Sequence, residues 1–254
     1  MCFFICINDI ICKVVIKIMK KEMRFKMDYY IISYGLTLLA LIITLGAQGY
    51  INSSYNKYKR VKNSRGITGA QAARRVLDKN GLNDVKIQEV VGFLSDHYDP
   101  TEKVVRLSTD IYNGSSVAGV AVACHECGHA LQDKEGYLML RIRHALVPFV
   151  NISSIAGYIA IAIGVFFSFI DLVWLGILCE CVILLFQLVT LPVEFNASSR
   201  ALKQIEEDNI LQGREYNGGK TVLRAAALTY VASVASTLLE ILRLILLFTR
   251  RDDD

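Results

Sequence analysis

Four long stretches of the chain are apolar and nearly free of charge, and they set its organisation. Residues Tyr29 to Asn56 and Ala145 to Ile170 carry no charge at all; Leu172 to Val193 carries only Glu180, and Ala225 to Phe248 only Glu240 and Arg243. A membrane-spanning helix needs about 20 predominantly apolar residues. Residues 29–50, 146–170 and 172–193 therefore read as spans, with Asp171 in the short turn between the second and third. Residues 225–248 read either as a fourth span or as a helix lying on the membrane surface. Glu240 and Arg243, three positions apart, would pair on such a helix. A cleavable signal peptide, cut near Gly46-Ala47, is the rival for the first stretch, but so long an apolar run favours an uncleaved span.

Between the first two spans the pattern changes. Thr68-Gly69-Ala70-Gln71 has the form of a capping box and opens a short helix that Asn80-Gly81 ends. Val85 to Val90 and Lys103 to Leu107 read as strands on either side of a turn at Asp96-His97-Tyr98-Asp99-Pro100, which predicts a hairpin or small sheet. Asn113-Gly114 is a turn, and Ser115 or Ser116 can cap a helix over Val117 to Gln132. Tyr137 to His144 mixes Leu, Met and Ile with Arg141, Arg143 and His144, the composition of an interfacial lead-in. Asn196 to Gly219 is polar and loop-like after a helical start. The expected fold is a mainly α membrane protein of about four transmembrane helices. A small α+β part, residues 57–145, lies between spans 1 and 2, and a second polar segment, 194–220, lies on the same side.

Composition agrees: 53% of residues are hydrophobic and the mean hydropathy is +0.38. The net charge of +4 is too small to argue for nucleic acid. All of that excess sits in residues 1–26, where Lys13, Lys17, Lys20, Lys21, Arg24 and Lys26 face Asp9 and Glu22. This lead differs in character from the rest. Either Met27 is the natural start, or residues 1–26 form a basic or amphipathic arm. Lys57, Lys59, Arg60, Lys62 and Arg65 follow the first span and place its exit in the cytoplasm by the positive-inside tendency; the basic lead, if native, competes with that orientation. Cys124, Cys127, Cys179 and Cys181 lie in apolar stretches without disulfide spacing and read as buried filler.

The candidate chemistry is in His125-Glu126-Cys127-Gly128-His129. Residues four apart on a helix stack on one face, so two imidazoles can share one Zn²⁺ while Glu126 beside them takes a proton from water. The plain alternative is a pair of solvated helix histidines. A catalytic zinc site commonly has three protein ligands. The third must lie on the same side of the membrane, where the chain returns after its third span through Leu191-Pro192-Val193-Glu194-Phe195-Asn196-Ala197. Glu194 arrives there, with Pro192 able to kink the helix and aim it. Its alternative is an ordinary carboxylate at a helix end. Cys127 points to another helix face. Glu180, a charge within a span, is a functional candidate by default, although it lies far from the proposed chemistry.

The HECGH motif followed by Leu191-Pro192-Val193-Glu194-Phe195-Asn196-Ala197-Ser198 resembles the neutral zinc metallopeptidases of bacterial membranes. Ser64-Arg65-Gly66-Ile67-Thr68-Gly69, Asp96-His97-Tyr98-Asp99-Pro100 and Ala225-Ala226-Ala227-Leu228-Thr229-Tyr230-Val231 fit the same family, and the likeness covers about residues 28–248. A more distant similarity is to HtpX-like and CaaX-type membrane zinc proteases, which carry an acidic residue four positions after the downstream Glu. Here that position is Ser198, so no carboxylate orients a ligand histidine from that place. The resemblance implies a zincin-like catalytic part and a gluzincin-like zinc metalloendopeptidase. One Zn²⁺ per chain would be held by His125, His129 and Glu194, with Glu126 as general base. His97 and Arg200 are further candidates for stabilising an oxyanion, each with a structural alternative. The expected partners are a membrane or membrane-proximal polypeptide substrate and the lipid bilayer, at a multi-pass site in the cell membrane facing the cytoplasm. A zinc-binding membrane scaffold or sensor without turnover is the alternative function.

Overall fold

A computed structural model describes residues 2–92 and 95–248, with side chains from Tyr30 onward. The expectations for residues 1–26 and Met27 fall outside those side chains. In chain order the elements are α1 (Cys2–Lys59), α2 (Gly69–Lys79), β1 (Lys86–Val90), β2 (His97–Asp99), β3 (Val104–Ser108), α3 (Thr109–Asn113), α4 (Val117–Lys134), α5 (Leu138–Phe167), α6 (Ile170–Glu207) and α7 (Arg214–Phe248). Among the described residues, four helices are long and apolar enough to cross a membrane: α1 from Tyr30, α5, α6 and α7. The chain is a multi-pass membrane protein, with its small α+β part between the first and second spans.

The spans pack in the order α1, α7, α6, α5. Small residues bring α5 and α6 together, because lipid offers no hydrophobic drive between helices and close backbone packing must supply the contact. A Cβ on Gly164 would meet the Val173 backbone nitrogen at 2.9 Å, and one on Gly157 would meet Cys179 Cβ at 2.8 Å. Ser168, at φ 59°, closes the turn between them. Residue 225 proves to be well inside α7, and the polar stretch 196–219 is largely helical. Its break is confined to residues 208–213 because α6 continues past its apolar part as an amphipathic helix that buries Ala197, Ala201, Gln204 and Ile205.

The α+β part is built around α4. Its cap is Ser116, whose hydroxyl accepts from Gly119 N at 3.0 Å. Val117, Val120, Ala121, Ala123, Cys124, Cys127 and Ala130 are buried with α2, β3, the last turns of α6 and the first turns of α7. A fully buried Val or Leu contributes about 1.5–3 kcal/mol, so this helix is held chiefly by its apolar faces. The predicted capping box on α2 is present, with Thr68 and Gln71 bonding reciprocally. The exit of α1 is pinned to the start of α4: Val117 N donates to Val61 O at 2.8 Å, and Asn63 N donates to Ser115 O at 2.9 Å.

Of the expected hairpin or small sheet, the chain forms the small sheet. Its order is β1-β3-β2, with β1 parallel and β2 antiparallel to β3. The two strands read from the sequence are therefore parallel neighbours, not the arms of a hairpin. Residues 97–99, expected in a turn, form the antiparallel edge strand. The real turn follows at 100–103, where Asp99 Oδ1 accepts from Thr101 N and Glu102 N at 2.8 and 3.1 Å. Three residues are too few to show an alternating pattern, and β3 supplies the pairing.

Candidate metal centre and its cleft

The sequence places His125, Glu126 and His129 in mid-helix on α4, where backbone geometry fixes their spacing. The structure then brings α6 across that face. Nitrogen atoms of His125 and His129 and a carboxylate oxygen of Glu194 lie within 4.8 Å of one another. His125 Nε2 is 3.2 Å and His129 Nε2 3.8 Å from Glu194 Oε2. Gly128 makes this approach feasible, because a Cβ there would lie 2.5 Å from the Ala197 carbonyl oxygen. Ala197 stands between Glu194 and Ser198 on α6, so the contact sets both in place.

Each histidine is oriented through its other nitrogen. Gln132 Nε2 donates to Val193 O at 2.8 Å and to Asn196 Oδ1 at 3.0 Å. Its amide oxygen is thereby left to accept from His129 Nδ1–H, at 3.0 Å. His125 Nδ1 is 3.2 Å from Ser198 Oγ, and with a metal on Nε2 the ring would carry its proton on Nδ1 and donate to that hydroxyl. Both Nε2 atoms thus turn toward Glu194, the arrangement in which ligand histidines are held by hydrogen bonds from behind. Ser198, the position where an acidic residue was missing, supplies one of those bonds itself. Arg143 of α5 completes the frame by donating to Glu194 Oε1 at 3.0 Å, leaving Oε2 toward the histidines. Two imidazoles and a carboxylate, with their outward atoms occupied, form a donor set that fits one Zn²⁺.

Burial shapes the protonation of α4. It pushes His129 down to about 4, helped by the neighbouring His125, so its imidazole is neutral at physiological pH. For His125 burial works downward too, but the Glu194 hydrogen bond and the Glu126 and Glu194 charges outweigh it and the net direction is up. Burial raises the Glu126 carboxyl to about 7, in the range suited to a general base. Cys127 is excluded as a ligand. It is buried on another face with its thiol toward Ala73 O at 3.6 Å, and burial holds its pKa well above the ordinary value.

The cleft beside this cluster has a volume of ≈ 280 Å³ and is lined by His125, Glu126, Glu194 and Ser198 together with residues of α1 and α7. Tyr230 of α7 also lines it, with its phenol beside Glu194. Of the earlier oxyanion candidates, Arg200 makes a bidentate pair with Glu135, at 2.6 and 2.7 Å, and clamps α6 to the end of α4. His97 Nδ1 is 2.7 Å from Ser95 O, and the residue does not line the cleft. Glu180 is buried elsewhere on α6, about 20 Å along the helix from Glu194 at 1.5 Å per residue. The predicted Glu240–Arg243 pair forms, with Arg243 Nε donating to Glu240 Oε2 at 2.8 Å.

Sequence reasoning missed Gln132, Arg143 and Tyr230. Gln132 was legible in principle, since it stands three residues after His129 on the same helix face. Arg143 and Tyr230 carry no local signal, because only tertiary packing brings them to the site.

The family model described as "Putative neutral zinc metallopeptidase" matches residues 33–249. A relative in Bacillus subtilis (strain 168), "Putative membrane protease YugP", is 46% identical over 219 residues, covering 86% of this chain and 97% of that protein. No solved structure matches the chain.

Proposed function

The chain belongs to this family of neutral zinc metallopeptidases, and from that premise we propose that it hydrolyses peptide bonds in membrane or membrane-proximal polypeptides, with His125, His129 and Glu194 as the ligands of one zinc ion and Glu126 as general base. The observation that carries this reading is the convergence of two Nε2 atoms from α4 and a carboxylate from α6 at one cleft. Zn²⁺ held there would lower the pKa of a coordinated water to about 7 and polarise the scissile carbonyl.

The remaining work falls to the chain's own groups. Glu126 takes the proton from the attacking water and delivers it to the leaving amine, typically worth about 10²–10⁴ in rate. Ser198, Gln132 and Arg143 hold the three ligands in place. Tyr230 offers the cleft a phenolic O–H, the donor suited to a developing oxyanion. The outer edge of β2, next to the cleft residue Asp96, presents backbone groups to which an extended peptide can pair. The catalytic part faces the cytoplasm in this proposal. Lys57, Lys59, Arg60, Lys62 and Arg65 support that orientation.

The test is Glu126→Gln in detergent-purified protein, with Glu194→Ala beside it. Glu126→Gln should keep its zinc and lose proteolysis, and Glu194→Ala should lose zinc. Undiminished proteolysis by Glu126→Gln would remove the base from its role. Equal zinc content in Glu194→Ala would remove the third ligand. Zinc binding without any turnover in the wild type would favour the scaffold alternative.

A further inference from the structure

The cleft has one wall that the chemistry above does not use. Gln48, Asn52 and Asn56 of α1 line it at successive intervals of four residues, so their amides form a single row along one helix face. All three are solvent- or lipid-accessible rather than packed away. The row covers about 12 Å at 1.5 Å per residue. It begins within the apolar stretch of α1 and ends just before the basic residues from Lys57, the end nearest the α+β part. Polar groups within a span are costly and usually serve a function. Here they do not tie α1 to its neighbours. Among the described residues, the hydrogen bond that these amides make, Gln48 Nε2 to Asn52 Oδ1 at 3.2 Å, runs within the row itself. The helix is instead clasped to α7 one turn deeper, where Thr44 and Ser236 hydroxyls meet at 2.8 Å.

The surrounding helices give the row a direction. α1 packs mainly on α7, and α6 packs on α7 as well as on α5, so α7 floors the cleft and α1 and α6 flank it. The floor is kept low by Ala226 and Ala227. Glu126 and Glu194 line the same cleft as the amide row. The clasp between Thr44 and Ser236 lies one turn deeper than Gln48.

We propose that Gln48, Asn52 and Asn56 are substrate-positioning residues that hold an extended, locally unwound stretch of a membrane polypeptide along α1 and lead it to Glu126. This rests on the metallopeptidase reading of the same site. A primary amide offers both a donor and an acceptor, which matches the alternating N–H and C=O of a peptide backbone. A helical substrate has those groups already paired, so only an unwound segment can use them. At about 3.3 Å per residue, the row accommodates three to four residues in extended form. The three side chains are uncharged, which matches a backbone and not a phosphate headgroup. Recognition of this kind reads backbone conformation more than side chains. It selects substrates whose span unwinds near the catalytic side of the membrane.

The test replaces all three amides by leucine, close in size and compatible with the bilayer. Wild type and the triple variant, zinc-loaded and reconstituted in phosphatidylcholine vesicles, are given two quenched fluorescent probes. One is a single-span polypeptide with a Gly-rich stretch at its cytoplasmic end; the other is a soluble blocked dipeptide, too short to reach along the amide row. Zinc content and melting temperature are measured alongside. The expected result is a KM at least 10-fold higher for the spanning probe, with zinc content and dipeptide cleavage within twofold of wild type. Unchanged cleavage of the spanning probe would overturn the proposal, as would equal loss on both probes with zinc retained. If zinc-loaded wild type cleaves neither probe, the metallopeptidase reading fails and takes this inference with it. If the triple variant loses zinc or fails to fold, single Asn52→Leu and Asn56→Leu variants replace it, under the same criteria.

Discussion

Replacing Gly128 by alanine tests whether the metal centre depends on how closely α4 and α6 approach. The new methyl carbon would lie 2.5 Å from Ala197 O, with the Ala197 carbonyl carbon at 3.0 Å and Cα at 3.1 Å. These are backbone atoms, so no side-chain rotation relieves the contact. Ordinary van der Waals separation begins near 3.4 Å, and the helices must part by about 1 Å to reach it. Overpacking of this kind costs about 1–3 kcal/mol, which a buried helix such as α4 can absorb and remain folded. The metal site cannot absorb it, because ligand distances tolerate only about 0.2 Å. Glu194 and Ser198 flank Ala197 and move with it. Gly128→Ala should therefore weaken zinc binding by at least about 10-fold, the lower bound for disturbing the groups behind metal ligands. Chelator competition on purified protein measures the affinity, and thermal unfolding of the zinc-free form measures the packing cost separately. Ala197→Gly should give no rescue, since the obstructing atom is the carbonyl oxygen. A zinc dissociation constant within twofold of wild type in Gly128→Ala would refute the reasoning.

Further outcomes follow from the same geometry. Gln132→Leu strands Val193 O, Asn196 and His129 Nδ1 in a buried setting, so zinc affinity should fall about 10–100-fold while Ser198→Ala falls less; equal affinity in Gln132→Leu would contradict the orienting role. Glu126 is raised from 4.5 to about 7, so its contribution to stability is complete below pH 4.5 and is lost as pH climbs to about 7. Zinc-free Glu126→Gln should then be more stable than zinc-free wild type at pH 8 by up to about 3 kcal/mol, and no more stable at pH 4, as read by denaturant or thermal melts. Proteolysis should likewise decline on acidification, because only the ionised carboxylate accepts a proton, and a zinc ion beside Glu126 would move that decline below the zinc-free value of about 7; a rate that rises from pH 7 to pH 5 would contradict the base assignment. Tyr230→Phe should lower kcat about 100-fold with zinc content unchanged, whereas Arg200→Ala should lower melting temperature and leave kcat within a few-fold.

What the sequence revealed, and what it concealed, follows from the range of the forces involved. The spans, the capping box on α2 and the α4 histidine pair depend on runs and spacings within a few turns of chain, so they are legible there. Glu194 was reachable by one longer step, since crossing the bilayer twice returns the chain to the same side. The pairing of β1 with β3 was not, because parallel and antiparallel neighbours share the same short alternating pattern. Residues 196–219 read as loop-like after a helical start, and that start runs on to residue 207, where Ala197, Ala201 and Ile205 recur at helical intervals and bury against α4. Arg143 and Tyr230 belong to α5 and α7 and meet Glu194 only through the packing of the bundle.

The substitution of serine for an acidic residue at position 198 bears on the charge of the whole centre. A carboxylate behind a ligand histidine makes that imidazole a stronger donor to the metal. Here the groups behind the histidines, Ser198 and Gln132, are both neutral. The negative charge is concentrated in front, on Glu194 and Glu126, and Arg143 offsets part of it through Glu194 Oε1. A third carboxylate at position 198 would add a further anion to an environment where burial already raises Glu126 to about 7. Like charges raise one another's pKa, so it would drive Glu126 higher still and leave less of it ionised at neutral pH. A hydroxyl keeps the geometric constraint on His125 without that effect on the base. Serine at this position therefore holds His125 in place without adding a further buried anion beside Glu126.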